Sequence, residues 1–402
     1  MERHSLAVGE RHEEGKPTAV TAPLEQATTS HRRRRRRLLV PLAIVSVIAV
    51  VATVGLAFNR PPESSPTPVA TPDGSHAPHP ESRSSLPPGL ERARELLGEP
   101  RSGESWHSGI WAGGDTASGE RVEAFGDWRG RPADAITMYP AKESWHTMRN
   151  SNWHIYTFAA SPAVLSYGLP LMPSDGDESL ADIAAGSHDD VFRTIAQQLV
   201  DNGRDVTIIR IGWEANGDWF DWSATPDTAQ DYIAAFRRVA GIMKEVSPNF
   251  VIDFDIGCAT KMPGQSDRLD SLTLLYPGDD VVDLIGCDTY DWHTSRSTDE
   301  ASWELTKRPR NAAGIADVAD FAREHGKGLS YPEWGPASTD VDGVGDNPFF
   351  IEKMRSFFEE NADILVLESY FSEPDTNVSN SIWDPVQMPR SSEEYLRLWG
   401  DR

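Results

Sequence analysis

Glu214 and Glu333 each stand among aromatic and small residues, in Trp213-Glu214-Ala215-Asn216-Gly217-Asp218-Trp219 and Tyr331-Pro332-Glu333-Trp334-Gly335. Two carboxyl groups brought together can break an acetal. One protonates the departing oxygen while the other attacks or assists at the anomeric carbon. Tryptophans beside them offer flat apolar faces that suit sugar rings. Either glutamate alone is an ordinary acidic residue; the specific signal is the pair, set among tryptophans.

For this chemistry the two segments must converge, and the surrounding sequence suggests how. Eight short apolar runs read as strands: Ser108–Ala112, Ala133–Tyr139, Ala163–Met172, Asp205–Trp213, Phe250–Gly257, Val281–Cys287, Gly328–Pro332 and Ile364–Ser369. Amphipathic patterns between them predict helices over Asp189–Val200, Thr225–Val246, Ala313–Glu324 and Pro348–Glu360. Alternating strands and helices over some 300 residues fit an α/β fold of the (β/α)8 TIM-barrel type. A doubly wound open sheet is the alternative, weakened because no Gly-rich phosphate loop follows the first strand. In a barrel the site lies at the C-terminal ends of the strands, which is where both glutamates fall. Strand parity puts Arg210, Gly212 and Glu214 on one face. Arg210 can then hold a carboxylate ionised. Asp288 and Tyr290 share a face of the sixth strand, and Tyr290 can hydrogen-bond a carboxylate of the seventh.

These residues resemble glycoside hydrolase family 26, a clan A family of retaining barrel hydrolases best known for β-mannanases. The resemblance rests on Arg210 with Trp213 to Trp222, on Val282-Asp283-Leu284-Ile285-Gly286-Cys287-Asp288-Thr289-Tyr290, and on Tyr331 to Gly335. Ala184 to Asp189, Tyr276 to Asp280 and Gly345 to Pro348 add to it. The resemblance implies Glu214 as acid/base, Glu333 as nucleophile, and Tyr290 and Arg210 as supporting groups. It implies Trp219, five residues after Glu214, as a sugar platform; Trp334, Trp213, Asn216, Trp292 and Trp111, near the predicted site, are further candidates for contact with a polysaccharide. It implies no cofactor and no metal. One departure matters. The family usually has His immediately before the acid/base, where this chain has Trp213, so the sugar is not carried over with the reaction. His107, His154 and His293 are candidates to replace that His.

The chain has 402 residues, 38 Lys+Arg against 62 Asp+Glu, and a formal net charge of −24. Phosphate backbones repel such a chain, so a nucleic-acid partner is not expected. Residues 1–37 nevertheless carry nine basic and five acidic side chains, leaving −28 on the rest. Residues 1–37 read as a basic cytoplasmic tail. Six arginines, Arg32 to Arg37, precede Leu38–Phe58, an uncharged apolar run long enough to span about 30 Å as a helix. The arginines predict an uncleaved single-pass anchor with the N-terminus cytoplasmic and the remainder outside; a cleaved signal is the alternative. Residues 59–90 hold nine prolines and read as an extended Pro/Ser-rich linker. Residues 91–402 read as one catalytic barrel, expected to be monomeric. Cys258 and Cys287 close neighbouring predicted strands. Two buried thiols is the preferred reading, with a disulfide the alternative. The expected activity is a membrane-anchored retaining endo-β-glycosidase resembling β-mannanases. A hydrolase of an envelope glycan or exopolysaccharide and a catalytically weak glycan-binding barrel are the competing readings.

Overall fold

A computed structural model describes residues 88–401, apart from 115–117, 151–152 and 376. All of these fall in the second of the chain's two units, His79–Arg402. The segments expected to form a cytoplasmic tail (1–37) and an anchor (38–58), and nearly all of the expected linker, lie outside the described residues. Among the described residues no helix is long and apolar enough to cross a membrane. The first described helix, Pro88–Leu97, begins inside the segment read as linker.

Eight parallel strands close into a barrel in chain order: β1 His107–Trp111, β2 Ala135–Met138, β3 Val164–Leu169, β4 Thr207–Ile211, β5 Val251–Gly257, β6 Leu284–Tyr290, β7 Gly328–Gly335 and β8 Leu365–Phe371. The cause is visible in the strands themselves. Parallel strands covered by helices on one face and packed into a barrel on the other are buried on both, so they read as continuous apolar runs. Ile208, Ile209 and Ile211 of β4 are all fully buried, each stabilising the fold by about 1.5–3 kcal/mol. The open-sheet alternative is thereby excluded, since β1 pairs with both β2 and β8.

Boundaries shift where side chains take over from the strand ladder. The sixth strand begins at Leu284, not Val281. The carboxylate of Asp283, just before it, is engaged by Arg92 (2.8 Å), Lys244 (3.0 Å) and the Ile252 N–H (2.9 Å). The helix expected from Thr225 starts at Ala229. Thr225 to Thr228 instead form a turn, in which Thr225 N–H donates to Thr228 Oγ1 (3.0 Å). Pro348–Glu360 is helical as expected, and Asn347 caps it by accepting from Phe350 N–H.

The seventh strand runs past Pro332 to Gly335, carrying Glu333 and Trp334 within it. Pro332 has no N–H to give a ladder, and the register with β8 slips between Tyr331 and Trp334. The Pro332 carbonyl instead accepts from Thr137 Oγ1 at 3.0 Å. Such an irregularity re-aims the next side chain, here Glu333. Cys258 and Cys287 form a disulfide with Cα atoms 5.5 Å apart, against the preferred reading of two thiols. Register supplies the reason: Ile256 pairs with Cys287, which leaves Cys258 just beyond the end of β5 and within reach.

Candidate active site

Arg210 on β4 organises the open end of the barrel. Its side chain is fully buried. Nη2 contacts Asp255 of β5 (3.2 Å) and also Asp288 of β6. Nη1 reaches Glu333 Oε1 on β7 (3.4 Å) and the hydroxyl of Tyr139, which follows β2. One guanidinium therefore ties together side chains from four other positions around the barrel. Its five fixed donors suit it to that role better than a lysine.

Glu333 is buried and accepts from three groups. Tyr290 Oη donates to Oε2 at 3.0 Å, Tyr139 Oη donates to Oε1, and Arg210 also faces Oε1. The hydrogen bond expected between Tyr290 and a β7 carboxylate is thus present in the structure.

Glu214 reaches the same cavity by a different route from the one parity suggests. The strand stops at Ile211. Gly212 and Glu214 adopt φ of 52° and 51°, in the left-handed region. A Cβ at residue 212 would meet the Leu171 side chain at 2.6 Å, so glycine is required there on both counts. Glu214 itself is a non-glycine residue in strained backbone. The turn is held by Glu214 N–H donating to the Asp255 carbonyl (3.1 Å) and Gly217 N–H donating to the Glu214 carbonyl (2.9 Å). Trp219 Nε1 donates to Glu214 Oε2 at 2.9 Å, and Trp219 stays 51% exposed.

Both glutamates line a cavity of about 350 Å³ together with Trp219, Thr260, Tyr290 and Trp292. His293, Phe371, Asn377 and Val378 complete its wall. Of the histidines considered, His293 lies at this cavity. His107 is buried at the opposite end of β1, facing the Gly98 carbonyl, and the His154 side chain lies outside the described residues.

Four expected substrate contacts are placed elsewhere. Trp334 is fully buried, and its Nε1 donates to Glu368 Oε2 at 2.7 Å. Neighbours in a strand point to opposite faces, so the residue beside Glu333 packs outward. Trp213 is buried among Tyr139, Phe220 and Trp222. Asn216 is buried too. Its Nδ2 donates to the Gly257 and Thr260 carbonyls (2.8 and 3.2 Å), and its Oδ1 accepts from Gly257 N–H (2.8 Å). It ties the Glu214 turn to the end of β5 and has nothing left for a sugar. Trp111 stacks on Phe371 with centroids 4.4 Å apart and faces a neighbouring cavity. Trp219 and Trp292 remain as aromatic walls of the site.

The environments of the two carboxyls differ. Burial, followed by the charges of Glu333 and Asp255, pushes the Glu214 carboxyl from 4.5 up to about 8. Glu333 instead faces a cation and two hydroxyl donors. Deeper in the barrel, burial raises Asp255 to about 6, offset by Arg210, and raises Asp253 to about 7. Asp288 is driven well above the carboxylate range, also chiefly by burial. Burial opposes the Arg210 charge, yet Asp255 and Asp288 hold its pKa above the ordinary value. Both tyrosines at Glu333 are raised by burial and stay neutral donors.

Sequence reasoning missed Tyr139 and Asp255. Both carried a signal: Tyr139 follows directly on a strand, and Asp255 alternates with Asp253 in an otherwise apolar strand. Phe371, Thr260 and Asn377 carried none, because loop and strand ends alone decide their exposure.

Residues 178–331 match the model of glycosyl hydrolase family 26; the match includes Glu214 and stops two residues short of Glu333. Endoglucanase H of Acetivibrio thermocellus is 29% identical over 196 residues, which is 47% of this chain and 20% of that protein. A mannan endo-1,4-beta-mannosidase of Bifidobacterium adolescentis is 30% identical over 157 residues, 38% of this chain and 14% of that one. The chain thus spans a fifth or less of the curated relatives it matches. The catalytic domain of a Bacillus sp. JAMB-750 GH26 endo-beta-1,4-mannanase superposes with a TM-score of 0.56 at 16% identity, covering 78% of this chain and 91% of that one. At that identity the superposition speaks for the fold, while the sequence match stands on its own: the chain resembles glycosyl hydrolase family 26.

Proposed function

We propose that this chain is a retaining glycoside hydrolase that cleaves a β-linked polysaccharide. The observation that carries the reading is the unequal pair in one cavity. Glu214 is raised to about 8 and so holds a proton at neutral pH, while Glu333 is ringed by donors. A carboxyl that holds its proton, beside one that meets a cation and two hydroxyl donors, supplies an acid and a nucleophile. In the first step a Glu333 oxygen bonds to the anomeric carbon. The bond from that carbon to the glycosidic oxygen breaks, and Glu214 gives its proton to the departing oxygen. In the second, Glu214 takes a proton from water, whose oxygen attacks the same carbon and displaces Glu333. Arg210, Tyr139 and Tyr290 position Glu333 and balance its charge, and Trp219 aims the Glu214 carboxyl.

Two relatives named for different β-glycans, and a buried Trp213 in place of the family's His, leave mannan as one substrate among several. An envelope glycan or exopolysaccharide is the second reading. It fits a tethered enzyme, which stays where it is made. Leu38–Phe58 is proposed as the tether, with the barrel outside the membrane and acting as a monomer. A disulfide between Cys258 and Cys287 supports an oxidising compartment.

The test is hydrolysis by the full-length protein of mannan, β-glucan, xylan and isolated envelope glycan, with the anomer formed first read by proton NMR. Retention is expected, with Glu333→Ala reducing turnover at least a thousandfold. Inversion, or undiminished turnover by Glu333→Ala, refutes the mechanism. Membrane fractionation with protease digestion of intact cells tests the tether: a barrel found free in the medium overturns it.

A further inference from the structure

Trp213 and Glu214 are neighbours in the chain, yet their side chains part. Left-handed backbone on either side of Trp213, at Gly212 and Glu214, sends Glu214 into the catalytic cavity and leaves Trp213 buried outside its lining. The Trp213 ring packs on Tyr139, with centroids 5.0 Å apart and planes at 46°. Phe220 and Trp222 also pack on Trp213, at 5.0 and 4.7 Å, and stack on each other at 4.3 Å. Trp222 Nε1 donates to the Trp213 carbonyl (2.8 Å), so backbone and ring are both held. Gly168 of β3 completes the socket. A Cβ there would meet Tyr139 Cδ1 at 2.5 Å and Trp213 Cε3 at 3.3 Å. The two rings therefore meet over a bare α-carbon, in space that a side chain on β3 would take.

What the socket holds is the Tyr139 hydroxyl. It accepts from Arg210 Nη1 and donates to Glu333 Oε1. A phenol has one proton to give, so the placement of the ring decides which atom receives it. The two phenols at Glu333 are placed by different means. Tyr290 lies within β6, where the ladder fixes its backbone. Tyr139 lies one residue past the end of β2 at Met138 and is half-buried, so packing must do what the ladder does for Tyr290. Trp213 and the bare Gly168 supply that packing. Without the Trp213 ring, a space opens beside Tyr139 into which it can relax.

We propose that Trp213 is a positioning residue for the nucleophile: it seats Tyr139 over Gly168 so that the Tyr139 hydroxyl stays on Glu333. One peptide bond joins Trp213 to Glu214, so the turn that aims the acid also sets the group that steadies the nucleophile. The inference rests on the proposed hydrolase function and goes beyond it, giving a buried side chain outside the cavity a share in the reaction.

Steady-state kinetics of the full-length protein are measured on whichever of mannan, β-glucan and xylan it cleaves fastest. Tyr139→Phe is expected to lower kcat roughly tenfold to a hundredfold with KM little changed. Trp213→Ala is expected to lower kcat about tenfold, again with KM little changed, and Trp213→Phe to restore most of it. In the Tyr139→Phe background Trp213→Ala should cost about threefold or less, because no hydroxyl remains to be aimed. The acid limb of kcat/KM should move to higher pH in both single variants, since a carboxylate that loses a donor binds its proton more readily. Gly168→Ala intrudes on the Tyr139 ring with Trp213 intact, and should give the same pattern even if Trp213→Ala does not fold. Wild-type kcat in folded Trp213→Ala or Gly168→Ala, a loss confined to KM, or an undiminished loss in the Tyr139→Phe background overturns the proposal. Fluorine NMR of full-length protein carrying meta-fluorotyrosine at position 139 reads the seating without turnover. Glu333→Gln should shift that signal in otherwise wild-type protein and leave it nearly unmoved in the Trp213→Ala background; equal shifts in both overturn the seating. If wild-type protein cleaves no glycan while the shift depends on Trp213, the hydrolase function falls and the seating stands.

Discussion

Replacing Glu214 with Gln should make the protein more stable at alkaline pH, by an amount that can be worked from its surroundings. The Glu214 carboxyl sits at about 8 in the folded protein against 4.5 in an ordinary setting. Its folded pKa is therefore raised, and the native state holds the proton more tightly than the unfolded one. Below 4.5 both states are protonated and the site imposes no penalty. Between 4.5 and 8 the unfolded state binds fewer protons, so stability falls by about 1.4 kcal/mol per pH unit. Above 8 the loss levels off, with an upper figure of about 5 kcal/mol. Glu214 is half-buried and keeps some contact with water. Screening reduces the figure, so about 2–3 kcal/mol is the expected size. Gln keeps the carbonyl that accepts from Trp219 and carries no charge at any pH. For a domain of roughly 300 residues the unfolding entropy is about 0.6 kcal/mol/K, which makes the gain about 3–5 °C in Tm. Differential scanning calorimetry of wild type and Glu214→Gln from pH 4.5 to 9 reads it directly. The two melting curves should coincide near pH 4.5 and separate steadily up to pH 8. A gap that is constant with pH, or one that opens toward acid, would show that burial and the Glu333 charge do not raise this carboxyl. It would also remove the argument for Glu214 as the proton donor.

The same group should set the alkaline limb of kcat/KM, with activity falling through about pH 8 as Glu214 ionises; a profile flat to pH 10 contradicts this. Tyr290→Phe deletes a 3.0 Å hydrogen bond to Glu333, a charge-assisted contact worth about 1.5–3 kcal/mol. Steady-state kinetics should show kcat reduced roughly tenfold to a hundredfold with KM little changed. The disulfide closes a loop of 29 residues, so Cys258→Ser with Cys287→Ser should cost about 3.5 kcal/mol in chemical denaturation. Denaturation midpoints that match wild type would mean that the bond is absent from the folded protein.

Much of the barrel was legible because its cause is local. A parallel strand buried on both faces must be apolar along its length, and runs such as Thr207–Ile211 and Val251–Gly257 announce themselves. The two glutamates were legible because both lie near the C-terminal ends of apolar runs, among tryptophans. Boundaries were less so. Asp283 and Thr228 stop or delay their elements through side-chain bonds to partners that periodicity does not reveal. The aromatic residues divided for the same reason. Trp213, Trp219 and Trp334 look alike in the sequence, yet one is core, one is exposed at the site and one holds Glu368.

The sequence by itself pointed to the barrel and to Arg210, Glu214, Tyr290 and Glu333 near the C-terminal ends of its strands, because an apolar strand pattern also marks roughly where each strand stops. Tertiary structure alone decided that Glu214 enters the cavity through a left-handed turn, that Tyr139 and Asp255 join the Arg210 network, and that a stacked Trp111–Phe371 wall divides two cavities. Those features arise where distant segments meet, and the closing of β8 against β1 is what brings them within reach. Burial, charge and exposure at such a meeting belong to the whole packing and to no single stretch of chain.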